Sequence, residues 1–355
     1  MTRVKIATFN VENLFDRAKV LNFSDHQHGN EKLEIVALLE EELRRPVYNK
    51  PEIIRLYTQV DDVIKFNVTR SSVGPYIISE RQGQLRVHPD GFSDWAGTIE
   101  FRRAKFDDTT SKNTARVILE VDADILCMIE VEDRLTLSTF DSDLLSSMYP
   151  YNILIDGNDS RGIDVGLYSK FELGTVRTNI FHPPSGSPTF PRDCLEVEVF
   201  TPGAPAYVLV NHFTSKSRGG EDRRLGQAKR LNEILGDRYD LAQQRVVVAG
   251  DLNDTPTSPP LQLLLSNNRL RDVLEIEFPN DPGERWTYHY DANEQIDYIL
   301  VSEPLANVLH EAGVERRGIA DVDEYSNGNI QPFSTVTNWR NAASDHGAVW
   351  AVFEL

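Results

Sequence analysis

Apolar residues gather in short runs bounded by turn formers: Val4 to Phe9, Ile125 to Ile129, Val165 to Tyr168, Leu195 to Phe200, Tyr207 to Val210, Val246 to Ala249, Ile296 to Val301 and Ala348 to Phe353. The runs are rich in β-branched residues and nearly continuous rather than alternating, the pattern of strands covered on both faces. Between them, Leu225, Ala228, Leu231 and Leu235 recur at helical spacing over Asp222 to Leu235, and Thr114 to Val121 closes a second helix ahead of the Ile125 strand. Buried strands mixed with amphipathic helices predict a layered α/β sandwich.

Residues 16 to about 112 have less of this buried-strand character. Glu31 to Arg45 predicts a helix stopped by Pro46, Pro51 to Lys65 a second with proline in its first turn, and Ile77 to Val87 a hairpin that turns at Gln82-Gly83. The segment reads as an elaboration on a single domain spanning 1–355. Gly318 to Asn341, rich in Asn, Ser and Asp, predicts a long loop before the last strand.

Charge narrows the choice of partner. With 37 Lys+Arg against 55 Asp+Glu, the chain carries a formal charge of −18. A protein that grips nucleic acid by broad phosphate neutralisation has a basic surface, so a polyanion here would have to meet a local basic patch or a metal ion. No apolar run approaches the roughly 20 residues needed to cross a bilayer. The start, Met1 to Asn10, also lacks the apolar core of a signal peptide. The sequence therefore predicts a cytoplasmic protein with no membrane segment, and it implies no protein partner. Cys127 and Cys194 each lie among apolar residues, which suits buried free thiols better than a disulfide or a sulfur-built metal site.

Candidate chemistry sits where the strands end. Val246 to Ala249 runs into Gly250-Asp251-Leu-Asn253, and on extended backbone Asp251 and Asn253 project to the same side. Alone, this could be a strand-end turn with a solvated carboxylate. The pattern recurs, however: Val4 to Phe9 ends in Asn10-Val-Glu12, Ile125 to Ile129 in Glu130, and Tyr207 to Val210 in Asn211-His212. Asp297 opens a strand, and Asp345-His346 precede the last one. Converging strand ends are where α/β sheets build sites. Hard oxygen donors without sulfur suit Mg²⁺, Mn²⁺ or Ca²⁺. Beside histidines, such an ion points to phosphoryl chemistry.

These residues resemble the endonuclease/exonuclease/phosphatase superfamily, which includes pancreatic-type deoxyribonuclease, abasic-site endonucleases, bacterial sphingomyelinases and inositol polyphosphate 5-phosphatases. The resemblance is carried by Thr8-Phe-Asn10-Val-Glu12-Asn-Leu-Phe, Leu126-Cys-Met-Ile-Glu130-Val-Glu, Asn211-His212-Phe, Gly250-Asp251-Leu-Asn253, Ile296-Asp297-Tyr298-Ile-Leu and Ser344-Asp345-His346, in the family's order. It implies a deoxyribonuclease I-like, four-layer α/β sandwich of two packed mixed β-sheets flanked by helices, which hydrolyses phosphoesters with Mg²⁺ or Mn²⁺. By motif position, Glu130 resembles the principal metal ligand, with Asn10, Glu12 and Asp345 in or near the metal's shells. Asp251 resembles the residue that orients or deprotonates the attacking water, with Asn253 beside it. His346 resembles the phosphate-contacting histidine, Asp297 the acid that orients it, and His212 the second histidine of the deoxyribonuclease branch. Two departures stand out: Glu12 occupies a position where many members have Asp, and the gap between the Asn10 and Glu130 motifs is longer than the family core needs. The inserted segment is either a substrate-selecting lobe or a packing and oligomerisation insert.

Lys216, Arg218, Arg223, Arg224, Lys229 and Arg230 form the densest basic stretch. Lys216 and Arg218, with Asn211, are read as substrate-binding, and the others as a solvated helix face. Trp286-Thr-Tyr288-His-Tyr290 could stack on a base or sugar, though rings are more often packing. Arg161 and Asp164 read as a salt bridge bracing the site, with direct substrate contact as the alternative. His26, His28, His88, His182, His289 and His310 lack ligand spacing and read as structural.

The leading expectation is a metal-dependent phosphodiesterase acting on nucleic acid, a nuclease of the deoxyribonuclease-like branch. The alternative is a phosphatase or phosphodiesterase for a small molecule or phospholipid headgroup, which the −18 charge favours. A silent binding scaffold is disfavoured, because every acid, amide and histidine of the motifs is present.

Overall fold

The computed structural model describes residues 2–15, 18–21, 26–181, 189–216, 220–266 and 270–355. The chain forms two compact units, one of Met1–Phe15 with Phe106–Leu355 and the other of Asp16–Lys105.

The first unit holds two six-stranded sheets. One runs in the order Leu309–Glu315, Ala348–Glu354, Arg3–Leu14, Ile125–Val131, Asp164–Ser169, Tyr151–Leu154. The other runs Arg271–Asp272, Asp297–Val301, Arg245–Asp251, Ala206–His212, Cys194–Val199, Leu173–Arg177. Each is antiparallel except at its centre, where Arg3–Leu14 lies parallel to Ile125–Val131 and Ala206–His212 parallel to Arg245–Asp251. All eight apolar runs of the sequence are strands of these sheets.

Both faces of the strands are buried, which explains the runs. Val4, Ile6, Ile125, Cys127 and Ile129 pack against Val208, Val210, Val247, Ala249 and Ile299 between the sheets. Residues of the opposite parity face helices. Ala7, Phe9, Leu126 and Met128 lie with Val117, Ile118, Leu137 and Phe140, while Leu209, Val246, Val248 and Leu300 lie with Ala228, Leu231, Ile234 and Leu261. The result is the expected helix, sheet, sheet, helix stack. Each fully buried side chain of this kind contributes roughly 1.5–3 kcal/mol. Acidic caps start the helices of the first layer: Asp108 accepts from the Ser111 N–H at 2.9 Å and Asp133 from the Thr136 N–H at 2.6 Å.

The second unit has its own core of Val36, Leu39, Leu43, Ile53, Leu56, Val60, Val63, Ile64 and Trp95. Trp95 Nε1 donates to the Tyr48 hydroxyl at 2.7 Å, which in turn donates to Leu43 O at 2.8 Å. The hairpin pairs Ile78–Arg81 with Gln84–Val87, and positive φ at both Gln82 and Gly83 makes its turn the primed type that matches strand twist. The helix expected over Pro51 to Lys65 stops at Tyr57, and Ile64–Ser71 instead forms a ribbon with Trp95–Phe101. Tight i to i+3 bonds at Gln59, Val60 and Val63 unwind the chain there, and the branched side chains that follow favour an extended partner.

The four edge strands of the six-stranded sheets, Tyr151–Leu154, Leu173–Arg177, Arg271–Asp272 and Leu309–Glu315, are too short or too polar for the sequence pattern to reveal. The helix over Glu221–Arg238 buries Arg224, so the solvated-face reading fails for that residue. Its guanidinium binds Asp254 at 2.8 Å and the carbonyls of Thr214 and Ser215. The stretch from Gly318 to Asn341 is loop apart from the single turn Val322–Tyr325. Cys127 and Cys194 are buried and free. Among the described residues, no helix is long and apolar enough to cross a membrane.

Gly250 sets how closely the central parallel pair of the second sheet can approach. Its φ is +137°, and a Cβ there would lie 1.8 Å from Asn211 O. Both clashing groups are backbone, so Gly250→Ala should destabilise the fold by about 2–4 kcal/mol in urea unfolding. A change within about 0.5 kcal/mol would show that the strands can part without penalty.

Asp272 is buried, accepts from the Leu274 N–H at 3.0 Å and from Gln295 Nε2 at 2.7 Å, and burial pushes its carboxyl up to about 6. Folding therefore favours its protonated form, and between about pH 4 and 6 this residue lowers stability as pH rises. Asp272→Asn should flatten that part of the stability profile, by up to roughly 3 kcal/mol across the window. Rotation of the Gln295 amide would present Oε1, which has no partner, to the new donor. An unchanged profile in equilibrium unfolding would remove Asp272 as its cause.

Candidate active site

Side-chain parity aims most of the site. Asn10 continues the inward-facing series of Val4 and Ile6, His212 that of Val208 and Val210, Asp251 that of Val247 and Ala249, and Asp297 that of Ile299 and Val301. At the strand ends this series changes from apolar to polar, so the gap between the sheets ends in functional groups. Glu130 has the wrong parity. It sits in a bulge between Ile129 and Val131 with φ of 68°, and this left-handed turn brings it to the same side as His212. Glu12 and Asn253 are also left-handed, at φ 49° and 53°. Such strain gathers where a surrounding structure over-determines a side chain's direction.

Asn10 Nδ2 donates to Asp251 Oδ2 at 3.2 Å, from one sheet to the other. Asn253 supplies two more donors to the same carboxylate, its backbone N–H to Oδ1 at 2.8 Å and Nδ2 to Oδ2 at 2.9 Å. His212 Nε2 lies 3.6 Å from both Asp251 Oδ2 and Glu130 Oε1. Across from them, His346 Nδ1 and Asp297 Oδ2 are 2.8 Å apart, and Thr287 Oγ1 donates to the same oxygen at 2.7 Å. Thr287 Oγ1 also accepts from the N–H groups of Ile296 and Asp297. Ser344 ties the two motif ends together, donating to Asn10 O at 2.7 Å and accepting from the His346 N–H at 3.0 Å.

These groups open on a cleft of about 410 Å³, lined by Asn10, Glu130, His212, Asp251, Asn253, Asp345 and His346 together with Arg161, Arg192, Ser215, Lys216, Tyr288, Tyr290, Glu294 and Ile296. Asp297 stands behind His346. Besides Asp297, two of the expected residues are not brought to the lining. Asn211 is fully buried and donates to Leu209 O at 3.0 Å. Glu12 lies outside the lining beside Asp345. Arg218 lies outside the described residues, as does His182.

The two histidines are driven to opposite charge states. Burial opposes the charge on His346, but Asp297, Asp345 and Asp251 outweigh it and raise its pKa well above the ordinary value. Burial and then the charge of Arg192 press His212 well below it. Among the carboxylates, burial followed by Asp297 pushes Asp251 up. Burial also raises Glu130, against His346 and with Asp345. Desolvation, then Asp345, carries Glu12 to about 7 although its side chain still reaches solvent.

Two groups of residues could be considered for a metal. Asp251, Asp297 and His346 offer atoms within 4.8 Å of one another. Their mutual and neighbouring hydrogen bonds occupy Asp297 Oδ2, His346 Nδ1 and both Asp251 oxygens, while Asp297 Oδ1 has no partner. Asn10, Glu130, Asp345 and the nearby Glu12 are hard oxygen donors, and after burial the charge of Asp345 raises the proton affinity of both Glu12 and Glu130. A divalent cation with oxygen preference fits that set.

Several participants carry no sequence signal. Asp159 takes both Arg161, at 2.9 and 3.1 Å, and Arg192, at 2.9 Å. Arg161 is thus paired, but not with Asp164, which instead accepts from the Gly157 N–H at 2.9 Å. Arg192, 4% exposed, also reaches the carbonyls of His212 and Phe213 and so holds the end of that strand. Thr287 is hidden in a segment whose rings draw the eye. Of those rings, Trp286 is buried under Arg316, Tyr288 packs on His346 with centroids 4.8 Å apart, and Tyr290 is 77% exposed. Lys216 lines the cleft and pairs with Glu294.

Asp297→Asn should lower the pKa of His346, since that carboxylate is the strongest influence holding the imidazolium against burial. Histidine NMR titration in chelator would check this. A wild-type His346 that titrates at about the ordinary pKa of 6.5 would contradict the dyad.

The sequence matches the model of the Endonuclease/Exonuclease/phosphatase family over residues 90–346. No curated protein sequence matches the chain. Among solved structures, TDP2 of D. rerio complexed with single strand DNA product is 13% identical, covers 70% of this chain and 92% of its own, and superposes with a TM-score of 0.51. D. rerio TDP2 humanized by 14 mutations is 14% identical over 71% and 95% of the two chains, with a TM-score of 0.50. Truncated Caenorhabditis elegans TDP2 is 21% identical over 70% and 91%, at 0.49. At these identities the likeness is one of fold.

Proposed function

Because the chain belongs to the endonuclease/exonuclease/phosphatase family, whose members are metal-dependent phosphoester hydrolases, we propose that it is a phosphodiesterase that cleaves nucleic-acid phosphodiester bonds as a nuclease. The observation that carries this reading is the pairing of Asp251, held by Asn10 and Asn253, with the facing His346–Asp297 dyad at the floor of one cleft.

Asp251 is the base. Its raised proton affinity suits it to take the proton of an attacking water near neutral pH, and the two amides fix which lone pair faces the cleft. His346, kept protonated by Asp297, presents Nε2–H to a phosphoryl oxygen as charge gathers there. Neutral His212 offers a second hydrogen bond from beside Asp251 without adding charge. Glu130, Asn10 and Asp345, with Glu12 at the outer edge, would hold Mg²⁺ or Mn²⁺, which supplies Lewis-acid polarisation of the phosphoester when bound. Lys216, Arg161 and Arg192 face the flanking phosphates. Asn211, away from the lining, acts through the strand pairing of His212 and Asp251 rather than by touching substrate. That a protein of the same fold is found with single-strand DNA product makes a single strand the first substrate to try.

One observation favours a second reading, a small-molecule or headgroup phosphoester. Among the described residues, each arginine and lysine that lines the cleft already has a carboxylate partner. A substrate with one phosphodiester needs no more.

Single-stranded oligonucleotide and supercoiled plasmid should be cleaved in Mg²⁺ or Mn²⁺, not in chelator, and Asp251→Asn should slow cleavage about 10²–10⁴-fold. A wild-type protein that leaves both intact while hydrolysing bis(p-nitrophenyl) phosphate would overturn the nuclease reading in favour of the second.

A further inference from the structure

The cations of the cleft are unequally neutralised. Two guanidiniums, Arg161 and Arg192, share the one carboxylate of Asp159. Lys216 is matched one to one, with Nζ 2.8 Å from each oxygen of Glu294. Both members of this pair line the cleft. Lys216 follows the strand Ala206–His212, whereas Glu294 ends a small hairpin, Tyr288–His289 with Asn293–Glu294.

The carboxylate side of this pair is the fixed side. Thr287 N donates to Glu294 O at 2.8 Å, Asn293 Nδ2 donates to Tyr325 O at 3.0 Å, and His289 stacks on Tyr325 with centroids 3.7 Å apart. The hairpin's base is fastened through Thr287 to Asp297. Lys216, by contrast, is a point charge on a flexible stem, 40% exposed.

Resting on the nuclease reading, we propose that Glu294 is a specificity-determining residue: it neutralises Lys216 at the edge of the cleft, so that a phosphate flanking the scissile bond engages Lys216 only by displacing Glu294. Exchange of one exposed ion pair for another gains little, and the displaced carboxylate stays nearby to repel the anion. Glu294 thus holds affinity for long polyanions low while leaving the floor of the cleft open to a single phosphodiester. Glu294→Gln would release the lysine.

The test is a double-mutant cycle in the Asp251→Asn background, with a fluorescein-labelled single-stranded oligonucleotide in Mg²⁺ and anisotropy read across a salt series. Glu294→Gln is expected to tighten binding about two- to fivefold. It should also steepen the plot of log affinity against log salt by about 0.7, the signature of one more single-strand phosphate contact. With Lys216→Met also present, both gains should vanish. No gain, or an equal gain with and without Lys216, would overturn the proposal, the latter because Glu294 would then act only through net charge. Protein with wild-type Asp251 is run alongside for cleavage. If it cleaves while the cycle shows no coupling, this inference alone fails; if it neither binds nor cleaves the oligonucleotide, the nuclease reading fails and this inference with it.

Discussion

The hydrogen bond from Asn10 to Asp251 joins the last inward-facing position of one sheet to that of the other. It can form only if both sheets keep their side-chain parity to the end of the central strands, and only if the sheets pack at the separation set by Val4, Ile6, Val247 and Ala249 between them. A slip of one residue in either register would turn the amide or the carboxylate toward the helices. The parallel pairs secure this. Arg3–Leu14 runs with Ile125–Val131, and Ala206–His212 with Arg245–Asp251, so four strands end together and their terminal groups face one another. The apolar core and the polar cleft are therefore successive layers of the same alternation.

That arrangement places acids close together away from water, and the fold manages their charge asymmetrically. Asp297 has a cationic partner in His346, and Asp159 has two in Arg161 and Arg192. Among the described residues, Asp251 receives only neutral amides and a neutral histidine, while Glu130 receives no closer partner than His212 at 3.6 Å. Asp251 and Glu130, the two left without a cation in hydrogen-bonding contact, face the cleft, whereas Asp297 and Asp159 stand behind or beside it. Unsatisfied negative charge is thereby concentrated at the surface where a divalent ion and a phosphoester would meet.

Much of this is legible in the sequence because a strand buried on both faces writes itself as a nearly unbroken apolar run, and the polar residues at its end mark where the apolar core gives way to the site, although they too are buried. Asn10, His212, Asp251, Asp297 and His346 stand out in that way. Glu130 does too, although its parity is wrong and the bulge that corrects it has no residue signature. What stays hidden depends on pairing across sequence distance. Asp159 and Arg192 are 33 residues apart and meet only in the fold. Arg224 looks like one more charge on a wet helix until its partner Asp254 is placed beside it. Asn211 looks functional because of its neighbour His212, yet alternation along a strand sends adjacent side chains to opposite faces. The helix expected over 51–65 fails where apolar spacing is compatible with both helix and ribbon, and branched side chains decide the matter.

Glu12, Glu130 and Asn253 hold backbone conformations that glycine and asparagine adopt with less strain. Two of the three are glutamates, so the chain keeps a charge where its own backbone would prefer none. Selection for thermal robustness alone would move in the other direction, since replacing either glutamate by glycine or asparagine relaxes the strand end and relieves crowded negative charge at once. In a mutant library ranked by melting temperature, the leading variants at these positions would be those that had surrendered turnover.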